Sequence, residues 1–285
     1  MKSKVTIPSI INAKKEKRKI SMLTAYDYLM AKILDEAEID ILLVGDSVGF
    51  VHMGLQSTIP VTMDQMVYHS SIVAKATQRA LVITDMPFGS YTVSKEEAVR
   101  NAGQLIKYGK ANAVKIEGGR EYVQHVIKMV QSGIPVMGHI GLKPQSLLTD
   151  SGYKIHGKKT VEAIEIYKDA IALEGAGAFA IVLEGIPVEL AKIITKKINI
   201  PTIGIGAGQE CDGQIQVFHD ITGLFNLKLP RHAKKYINNH QMIKDAIATY
   251  CQEVENKNFP EKINSVSMDS EELIKLQKNI EDFKN

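Results

Sequence analysis

Eight short apolar runs, rich in β-branched residues and each with a polar or glycine-containing end, recur along the chain and constrain its fold. Strands that are apolar almost throughout are typical of a parallel sheet that is buried on both faces. The runs are ISMLTA (20–25), DILLVGD (40–46), LVITDM (81–86), NAVKIEG (112–118), PVMGHIG (135–141), AFAIVLEG (178–185), PTIGIGAG (201–208) and, less clearly, QIQVFHD (214–220).

Helical segments lie between these runs. Ser94 and Glu97 occupy the positions of a capping box, and Pro187 lies in the first turn of a later segment. Strands that alternate with helices predict a (β/α)8 TIM barrel, here with an N-terminal helix, and leave an open doubly wound sheet as the alternative. The segments with the apolar spacing of amphipathic helices are 94–109, 120–133, 160–177 and 187–198.

The length of the chain, 285 residues, predicts one barrel with an appended tail, because α/β barrels occupy roughly 200–250 residues. We expect the barrel over residues 1–255 and the tail over 256–285. The tail contains a short amphipathic segment, which favours a packing or interface arm; its apolar stripe consists of Leu273, Leu276 and Ile280.

Two long connections, 45–81 and 142–159, are predicted to contribute loops over the barrel mouth.

Composition excludes several classes of partner. The net charge of +3 is small and the basic residues are scattered, so the composition does not indicate that the protein binds nucleic acid. No apolar run approaches the roughly 18 residues that span a bilayer, and the N-terminus lacks the apolar core of a signal peptide. Cys211 and Cys251 have no metal-binding spacing, which suits reduced thiols. We therefore expect a cytoplasmic protein that binds small molecules.

Titratable residues lie where the predicted strands end. In barrel enzymes the active site is at the C-terminal ends of the strands. Because side chains alternate along a strand, Lys115 and Glu117 share one face, while Val114 and Ile116 face the helices. Five consecutive strands bring such residues to one rim: Asp46, Asp85, Lys115 with Glu117, His139 and Glu184.

Three of these residues, Asp46, Asp85 and Glu117, offer carboxylate oxygens. Carboxylates that converge in a partly buried site do not all stay ionised unless a cation is present. Ligation by oxygen alone selects a hard ion, most simply Mg²⁺, with waters and a substrate completing the coordination. The alternative is that some of these acids cap helices or pair with Lys115.

The stretch Gly45-Asp46-Ser47-Val48-Gly49 fits the G-x-S-x-G nucleophile elbow of serine hydrolases. An elbow of that kind follows several strands, whereas this motif ends only the second. We therefore do not interpret Ser47 as a nucleophile, and Asp46 is the residue of this stretch that we expect to bind the metal. Likewise, the glycines of GIGAG (204–208) resemble a phosphate-binding turn only weakly, and His52, His69 and His219 are interpreted as structural.

Long stretches of the first 240 or so residues resemble the ketopantoate hydroxymethyltransferase family. Ser151 and His156 depart from the pattern usual in that family. The matching stretches, in order, are MLTAYD (22–27), LLVGDSVG (42–49), GLQSTIPVTMDQMVYHSSIVAKA (54–76), TDMPFGSY (84–91), AVKIEGG (113–119), IPVMGHIGLKPQS (134–146), GAFAIVLEGIP (177–187), IPTIGIGAG (200–208) and CDGQ (211–214).

The resemblance implies a barrel of the phosphoenolpyruvate/pyruvate type that transfers a hydroxymethyl group from 5,10-methylenetetrahydrofolate to α-ketoisovalerate. It also implies one Mg²⁺ per subunit, a step toward pantothenate and coenzyme A, and a homo-oligomer, often a decamer. By the same resemblance Asp46 and Asp85 hold the metal, with Glu117 in or near its shell, and both aspartates therefore contact the substrate. Further substrate contacts are assigned to Ser47, Lys115 and His139, although a purely structural role for His139 stays open. Glu184 would accept the proton.

Three other functions are alternatives. A C–C lyase of the same barrel superfamily would share the acids and an enolate, but neither Cys211 nor Cys251 lies in the reactive-cysteine loop of such lyases. A serine hydrolase is disfavoured by the position of its motif. A non-catalytic barrel that binds a keto acid would bind the substrate without exchanging its C3 proton.

Overall fold

Eight parallel strands close into a barrel in which each strand pairs with the next along the chain and the eighth pairs with the first. The structure is a computed structural model that describes residues 3–146, 148, 154–225 and 229–282. Ser151 therefore lies outside the described residues, as does part of the 142–159 connection. The strands are β1 (Ile20–Thr24), β2 (Ile41–Val44), β3 (Leu81–Asp85), β4 (Ala113–Glu117), β5 (Val136–Gly141), β6 (Ala180–Glu184), β7 (Thr202–Ile205) and β8 (Gly213–Gln216). The predicted TIM barrel is confirmed, and the open sheet is wrong.

Helices alternate with the strands along the chain, and one helix precedes β1 as predicted. Among the helices of the described ranges, none combines the length and the apolar composition that a bilayer crossing requires. The helices are α1 (Ile7–Lys15), α2 (Tyr28–Glu36), α3 (Val48–Val51), α4 (Met63–Ala76), α5 (Lys95–Lys107), α6 (Val123–Gln131), α7 (Thr160–Gly175), α8 (Val188–Lys197), α9 (Phe218–Thr222), α10 (Asn239–Glu255) and α11 (Ser270–Asp282).

Two predictions about helix starts need correction. Ser94 caps α5 by accepting a hydrogen bond from the backbone N–H of Glu97. The reciprocal half of the capping box is not formed, because the Glu97 carboxylate pairs with Arg100 at 3.3 Å. Pro187 is the N-cap of α8 rather than a residue of its first turn. Its extended backbone leads out of the turn after β6.

Because side chains alternate between the two faces of each strand, the buried apolar residues form two separate cores. Val114 and Ile116 of β4 belong to the core between the sheet and the helices, as predicted. The second core lies inside the barrel. It includes Ile41, Ile83 and Met137 from three different strands. The charged residues of the rim therefore lie next to an apolar barrel interior.

Connections at the C-terminal end of the barrel carry most of the irregular structure. The predicted loop after β2 contains the short helix α3 and then α4, and its residues Phe50 and Thr58 reach the mouth. Residues 206–212 join β7 to β8 without a helix. Gly206 and Gly208 in this connection have left-handed backbone (φ +62° and +85°), which side chains other than glycine adopt only with strain.

The chain forms two compact units, one comprising residues 1–222 and 227–236 and the other residues 223–226 and 237–285. The second unit contains α10 and α11 and thus begins before the predicted tail. In this unit Leu273, Leu276 and Ile280 are 43%, 42% and 49% exposed. The boundary at residue 255 and the role of the tail stay predictions.

Asp40 ties together the N-terminal end of the barrel, opposite the mouth. Its Oδ2 accepts hydrogen bonds from the backbone N–H of Ser21 and from Arg18, both at 3.0 Å, and its Oδ1 lies 3.4 Å from Arg79. Burial raises the pKa of this carboxyl, but the Ser21 N–H and the Arg18 charge outweigh burial and lower it. The folded protein therefore holds the ionised form more firmly than the unfolded chain does.

We predict that Asp40→Asn lowers the free energy of unfolding at pH 7 by roughly 1–3 kcal/mol, because a buried, charge-assisted hydrogen-bond network is lost. A depressed carboxyl pKa contributes stability above the unfolded value of 3.8, and this contribution disappears as the pH falls through the folded value. Urea unfolding at a series of pH values should show the difference from wild type shrinking below pH ~4. The control Asp64→Asn, at an exposed position in α4, should change stability little. A deficit that does not depend on pH would contradict this account.

Candidate active site

A cavity of about 220 Å³ opens at the C-terminal end of the barrel, within the first unit. Its wall includes all seven residues that the sequence singled out for the site, so five strands do bring their titratable ends to one place. The seven are Asp46, Ser47, Asp85, Lys115, Glu117, His139 and Glu184. The chemical roles of these residues stay predictions.

Strand register explains why these side chains meet. Asp85 on β3 is paired with Lys115 on β4, and Glu117 on β4 is paired with His139 on β5. Glu184 lies at the end of β6, opposite Gly141. Paired residues on neighbouring strands point to the same side of the sheet, which here is the barrel interior. The closed barrel thus fixes the order of the charges around its mouth.

Asp46 lies two residues beyond the end of β2 rather than at its last position. Its backbone N–H donates to Asp85 Oδ2 at 3.1 Å, which brings the second and third strand ends together. Gly45 allows this close approach, because a Cβ there would lie 2.8 Å from Ser47 Oγ and 3.5 Å from Asp85 Oδ2. The two carboxylates therefore occupy one side of the cavity.

Lys115 is the central cation of the site and is 4% exposed. Its Nζ lies 3.1 Å from Asp85 Oδ1 and 3.9 Å from Glu117 Oε1. Burial lowers the pKa of Lys115, but the surrounding carboxylates, Asp85 first, outweigh burial and raise it. The ammonium group therefore stays charged, and it is the natural anchor for an anionic ligand.

His139 connects the cationic centre to Glu184. Its Nδ1 lies 3.2 Å from Lys115 Nζ and 3.4 Å from Glu117 Oε1, and its Nε2 lies 3.2 Å from Glu184 Oε2. Burial and the Lys115 charge lower the pKa of His139, yet the interactions with Glu117 and Glu184 raise it to about 8. The imidazole can therefore hold the Glu184 carboxylate in place from the barrel side.

Gln145 is a site residue that sequence reasoning did not single out. Its Nε2 donates to Asp46 Oδ2 at 2.8 Å and to the Met86 carbonyl at 3.0 Å, while its backbone N–H donates to Glu117 Oε2 at 2.9 Å. The hydroxyl of Tyr91 lies 2.9 Å from Gln145 Oε1. This buried amide fixes the orientation of two carboxylates. The only signal in the sequence was its place in the stretch IPVMGHIGLKPQS.

Ser47 has the environment of an anchor and not of a nucleophile. Its Oγ lies 2.8 Å from the hydroxyl of Tyr26, a second residue that was not predicted, and burial raises the pKa of that phenol. No histidine is hydrogen-bonded to Ser47 within the described part of the chain. Of the histidines interpreted as structural, His69 contacts the Tyr26 carbonyl at 2.7 Å. Both its contacts and its position in the chain therefore argue against Ser47 as the nucleophile of a serine hydrolase.

Burial and mutual repulsion make the two aspartates poor anions when no further cation is bound. Desolvation, followed by the charges of Asp85 and Glu117, raises the pKa of Asp46 well above its ordinary value. Desolvation also raises the pKa of Asp85, although Lys115 opposes the shift. Glu117 differs, because His139 and Lys115 outweigh its burial and lower its pKa. The site thus carries more negative charge than Lys115 alone neutralises.

This donor set fits a hard divalent cation beside Asp46 and Asp85. Two buried oxygen donors with raised pKa values would be stabilised as anions by such an ion. In the described ranges no three His, Cys, Asp or Glu side chains are already arranged around a common metal position. Waters and a chelating ligand would therefore supply the remaining coordination. Both oxygens of Glu117 already face donors from Gln145, His139 and Lys115, which suits a place at the edge of the coordination shell.

The remaining wall of the cavity comes from the segment after β8. Asp220 and His232 line this side, and burial raises the pKa of Asp220, an effect that His232 opposes. Asp220 was included in the eighth predicted run, but the strand ends at Gln216 and Asp220 lies in α9. His232 carried no sequence signal, because it follows a segment without apolar periodicity.

Cys211 lies far along the barrel from this chemistry. It immediately precedes the N-terminal end of β8, whereas the cavity opens at the C-terminal ends. Burial raises the pKa of its thiol, which keeps it protonated. Cys211 and Cys251 are both free. Neither cysteine is among the described residues that line this cavity, so the reactive cysteine of a lyase has no counterpart among them.

Comparison with known proteins gives a consistent result. Residues 4–262 match the family described as Ketopantoate hydroxymethyltransferase. The 3-methyl-2-oxobutanoate hydroxymethyltransferase of Clostridium beijerinckii is 50% identical over 273 residues, which cover 96% of this chain and 99% of that protein. The enzyme of the same name from Pelobacter propionicus is 52% identical over 261 residues, 91% of this chain and 96% of that one.

Solved structures with a similar fold are more distant in sequence. A 2,3-dimethylmalate lyase, a member of the PEP mutase/isocitrate lyase superfamily, has a TM-score of 0.57 at 18% identity, over 98% of this chain and 96% of that one. A phosphonopyruvate hydrolase in complex with oxalate and Mg²⁺ has a TM-score of 0.59 at 13% identity, over 97% and 96% of the two chains. These likenesses concern the fold, and they agree with the barrel type expected from the sequence.

Proposed function

The chain belongs to the ketopantoate hydroxymethyltransferase family, and from this premise we propose that it transfers a hydroxymethyl group from 5,10-methylenetetrahydrofolate to α-ketoisovalerate. The product would be ketopantoate, on the route to pantothenate and coenzyme A. The observation that carries the proposal is the convergence of Asp46, Asp85, Lys115 and Glu184 on one small cavity. A keto acid needs a cationic anchor, a cation for its oxygens and a base. Lys115 would be the anchor, Asp46 and Asp85 would hold the cation, and Glu184 would be the base.

The keto acid would bind with its anionic end toward Lys115. This ammonium group is buried and charged, and the cavity of about 220 Å³ suits a small branched acid. Ser47 lies at the same wall and would donate through its hydroxyl or backbone N–H, with Tyr26 fixing the hydroxyl orientation. Apolar residues such as Leu43 and Val182 line the same cavity and would contact the branched methyl groups.

A Mg²⁺ ion, one per subunit, would be held by Asp46 and Asp85, with Glu117 in or near the shell. When bound, the ion would polarise the ketone and stabilise negative charge on the enolate oxygen. Gln145 orients Asp46 through its amide, and the Lys115 charge opposes the rise in the pKa of Asp85. Asp46 and Asp85 would therefore contact the substrate through the bound ion.

Glu184 would accept the C3 proton of the keto acid. Its side chain is 16% exposed, and its Oε2 faces His139 at 3.2 Å, so the carboxylate is held at the rim without being surrounded by donors. A carboxylate restrained in this way keeps a lone pair for a proton that is delivered from the cavity. His139 thus acts on Glu184 as a positioning residue in addition to its place beside the substrate.

The transfer balances with one water molecule. Loss of the C3 proton leaves an electron pair that forms the new bond from C3 to the methylene carbon of the folate. Both C–N bonds of that carbon break, and water supplies its hydroxyl oxygen and hydroxyl hydrogen. The abstracted proton and the second hydrogen of water end on the two folate nitrogens, which releases tetrahydrofolate and ketopantoate.

We also propose that the protein is cytoplasmic and assembles as a homo-oligomer, with a decamer expected from the family. The two free cysteines are compatible with a reducing compartment. Apolar side chains on the surface of the second unit, including Ile247 and Ile274, offer area for subunit contacts. The molar mass in solution, from light scattering, tests the oligomeric state: a monomer would contradict it.

The proposed base is tested by isotope exchange. In D₂O with Mg²⁺ and no folate, wild-type protein should exchange the C3 proton of α-ketoisovalerate, as followed by ¹H NMR. We predict that Glu184→Gln slows this exchange by roughly 10²–10⁴-fold, because the proton acceptor is lost. The control Glu189→Gln, at an exposed position in the first turn of α8, should exchange at the wild-type rate. Full exchange by Glu184→Gln would exclude Glu184 as the base.

The same exchange assay tests whether the reaction requires a metal ion. Protein treated with EDTA should lose exchange and regain it with Mg²⁺, and Asp85→Asn should require a higher Mg²⁺ concentration for the half-maximal rate. Exchange that EDTA does not affect would contradict the proposed ion. Binding of α-ketoisovalerate by wild type with no exchange at all would instead favour the non-catalytic keto-acid-binding barrel.

A further inference from the structure

A second cavity, of about 650 Å³, opens beside the first on the same rim. Its wall is built from residues 154–158, the turn from β6 into α8, the turn after β7, and Arg231 with His232. All of these belong to the first unit. The volume is within the range of roughly 300–1,000 Å³ that is typical of sites for cofactor-sized ligands, whereas the first cavity is too small for such a ligand.

The two cavities share a wall. Glu184 and His232 line both of them. His232 packs over Gly206, where a Cβ would lie only 3.2 Å from the His232 Cβ, and its carbonyl accepts a hydrogen bond from Gln216 at 3.2 Å. A ligand in the second cavity would therefore meet the keto acid across the carboxylate proposed to take the C3 proton. A one-carbon donor has to reach the carbanion at this same point.

The second cavity combines positive charge with apolar surface. Lys154, Lys158 and Arg231 line it, while Glu184 is the one acid among its described lining residues. None of these three cations forms an ion pair with a residue of the described ranges. Ile155 and Val188 are 47% and 50% exposed at the same site. Exposed apolar side chains beside cations suit a ligand with a flat apolar body and an anionic end.

We propose that this second cavity is the folate subsite, in which Lys154, Lys158 and Arg231 bind the glutamate carboxylates and the ring end faces Glu184 and His232. The inference depends on the proposed function, because it identifies where that function's second substrate binds. The one-carbon unit would then reach C3 of the keto acid from the side of Glu184, while Lys115 holds the anionic end of the acid in the first cavity.

The test compares the two Michaelis constants of Lys158→Gln, Arg231→Gln and the double variant. Each single change should raise the KM for methylenetetrahydrofolate about tenfold, the cost of one charge-assisted contact. The KM for α-ketoisovalerate and the folate-free exchange report on the first cavity, and they show whether a variant is intact. Lys197→Gln, an exposed lysine at the end of α8 and hence at the opposite end of the barrel, is the matched control.

A second experiment uses wild-type protein and therefore does not depend on the folding of any variant. Methylenetetrahydropteroate lacks the glutamate and should show a KM at least tenfold higher than methylenetetrahydrofolate. Equal KM values for these two donors, or a double variant whose folate KM is unchanged, would overturn the subsite. A wild-type protein that neither exchanges the C3 proton nor forms ketopantoate would instead overturn the proposed function.

Discussion

One buried ammonium group among several buried carboxylates determines the character of this site. Lys115 lies 3.1 Å from Asp85 and 3.9 Å from Glu117, and Asp46 is hydrogen-bonded to Asp85 through its backbone. Taking these charges out of water is costly, and one lysine does not compensate three carboxylates. Burial is the largest cause of the raised pKa values of Asp46 and Asp85, and the charge of Glu117 adds to it. A divalent cation chelated by a keto acid would stabilise both carboxylates as anions.

The barrel makes this arrangement possible because it fixes charge positions by register. Asp85 is held opposite Lys115 and Glu117 opposite His139 by the strand ladder itself. Asp85, Lys115 and Glu117 are buried, so each electrostatic contact among them is stronger than it would be at the surface. Gln145 completes the frame from a loop, with its amide and backbone N–H on Asp46 and Glu117. The barrel thus holds the charged side chains of the proposed active site in fixed positions.

Periodicity and residue type predicted the parts that depend on local rules. The apolar runs gave the eight strands, and the alternation of Lys115 and Glu117 with Val114 and Ile116 gave their two faces. Features that depend on contacts between distant segments were missed. Gln145 and Tyr26 look like ordinary polar residues until the fold places them against Asp46 and Ser47. The Glu97 half of the capping box failed because Arg100, one turn away, competes for its carboxylate.

Two adjoining cavities share Glu184 as a lining residue, and this arrangement suits a reaction between two substrates, one bound in each cavity. The most direct measurement is ¹³C NMR of a mixture of α-ketoisovalerate, Mg²⁺ and tetrahydrofolate that carries a ¹³C-labelled methylene group. The account predicts that the label appears in the hydroxymethyl carbon of ketopantoate as tetrahydrofolate is released. Folded protein that exchanges the C3 proton but yields no labelled ketopantoate would contradict the transfer.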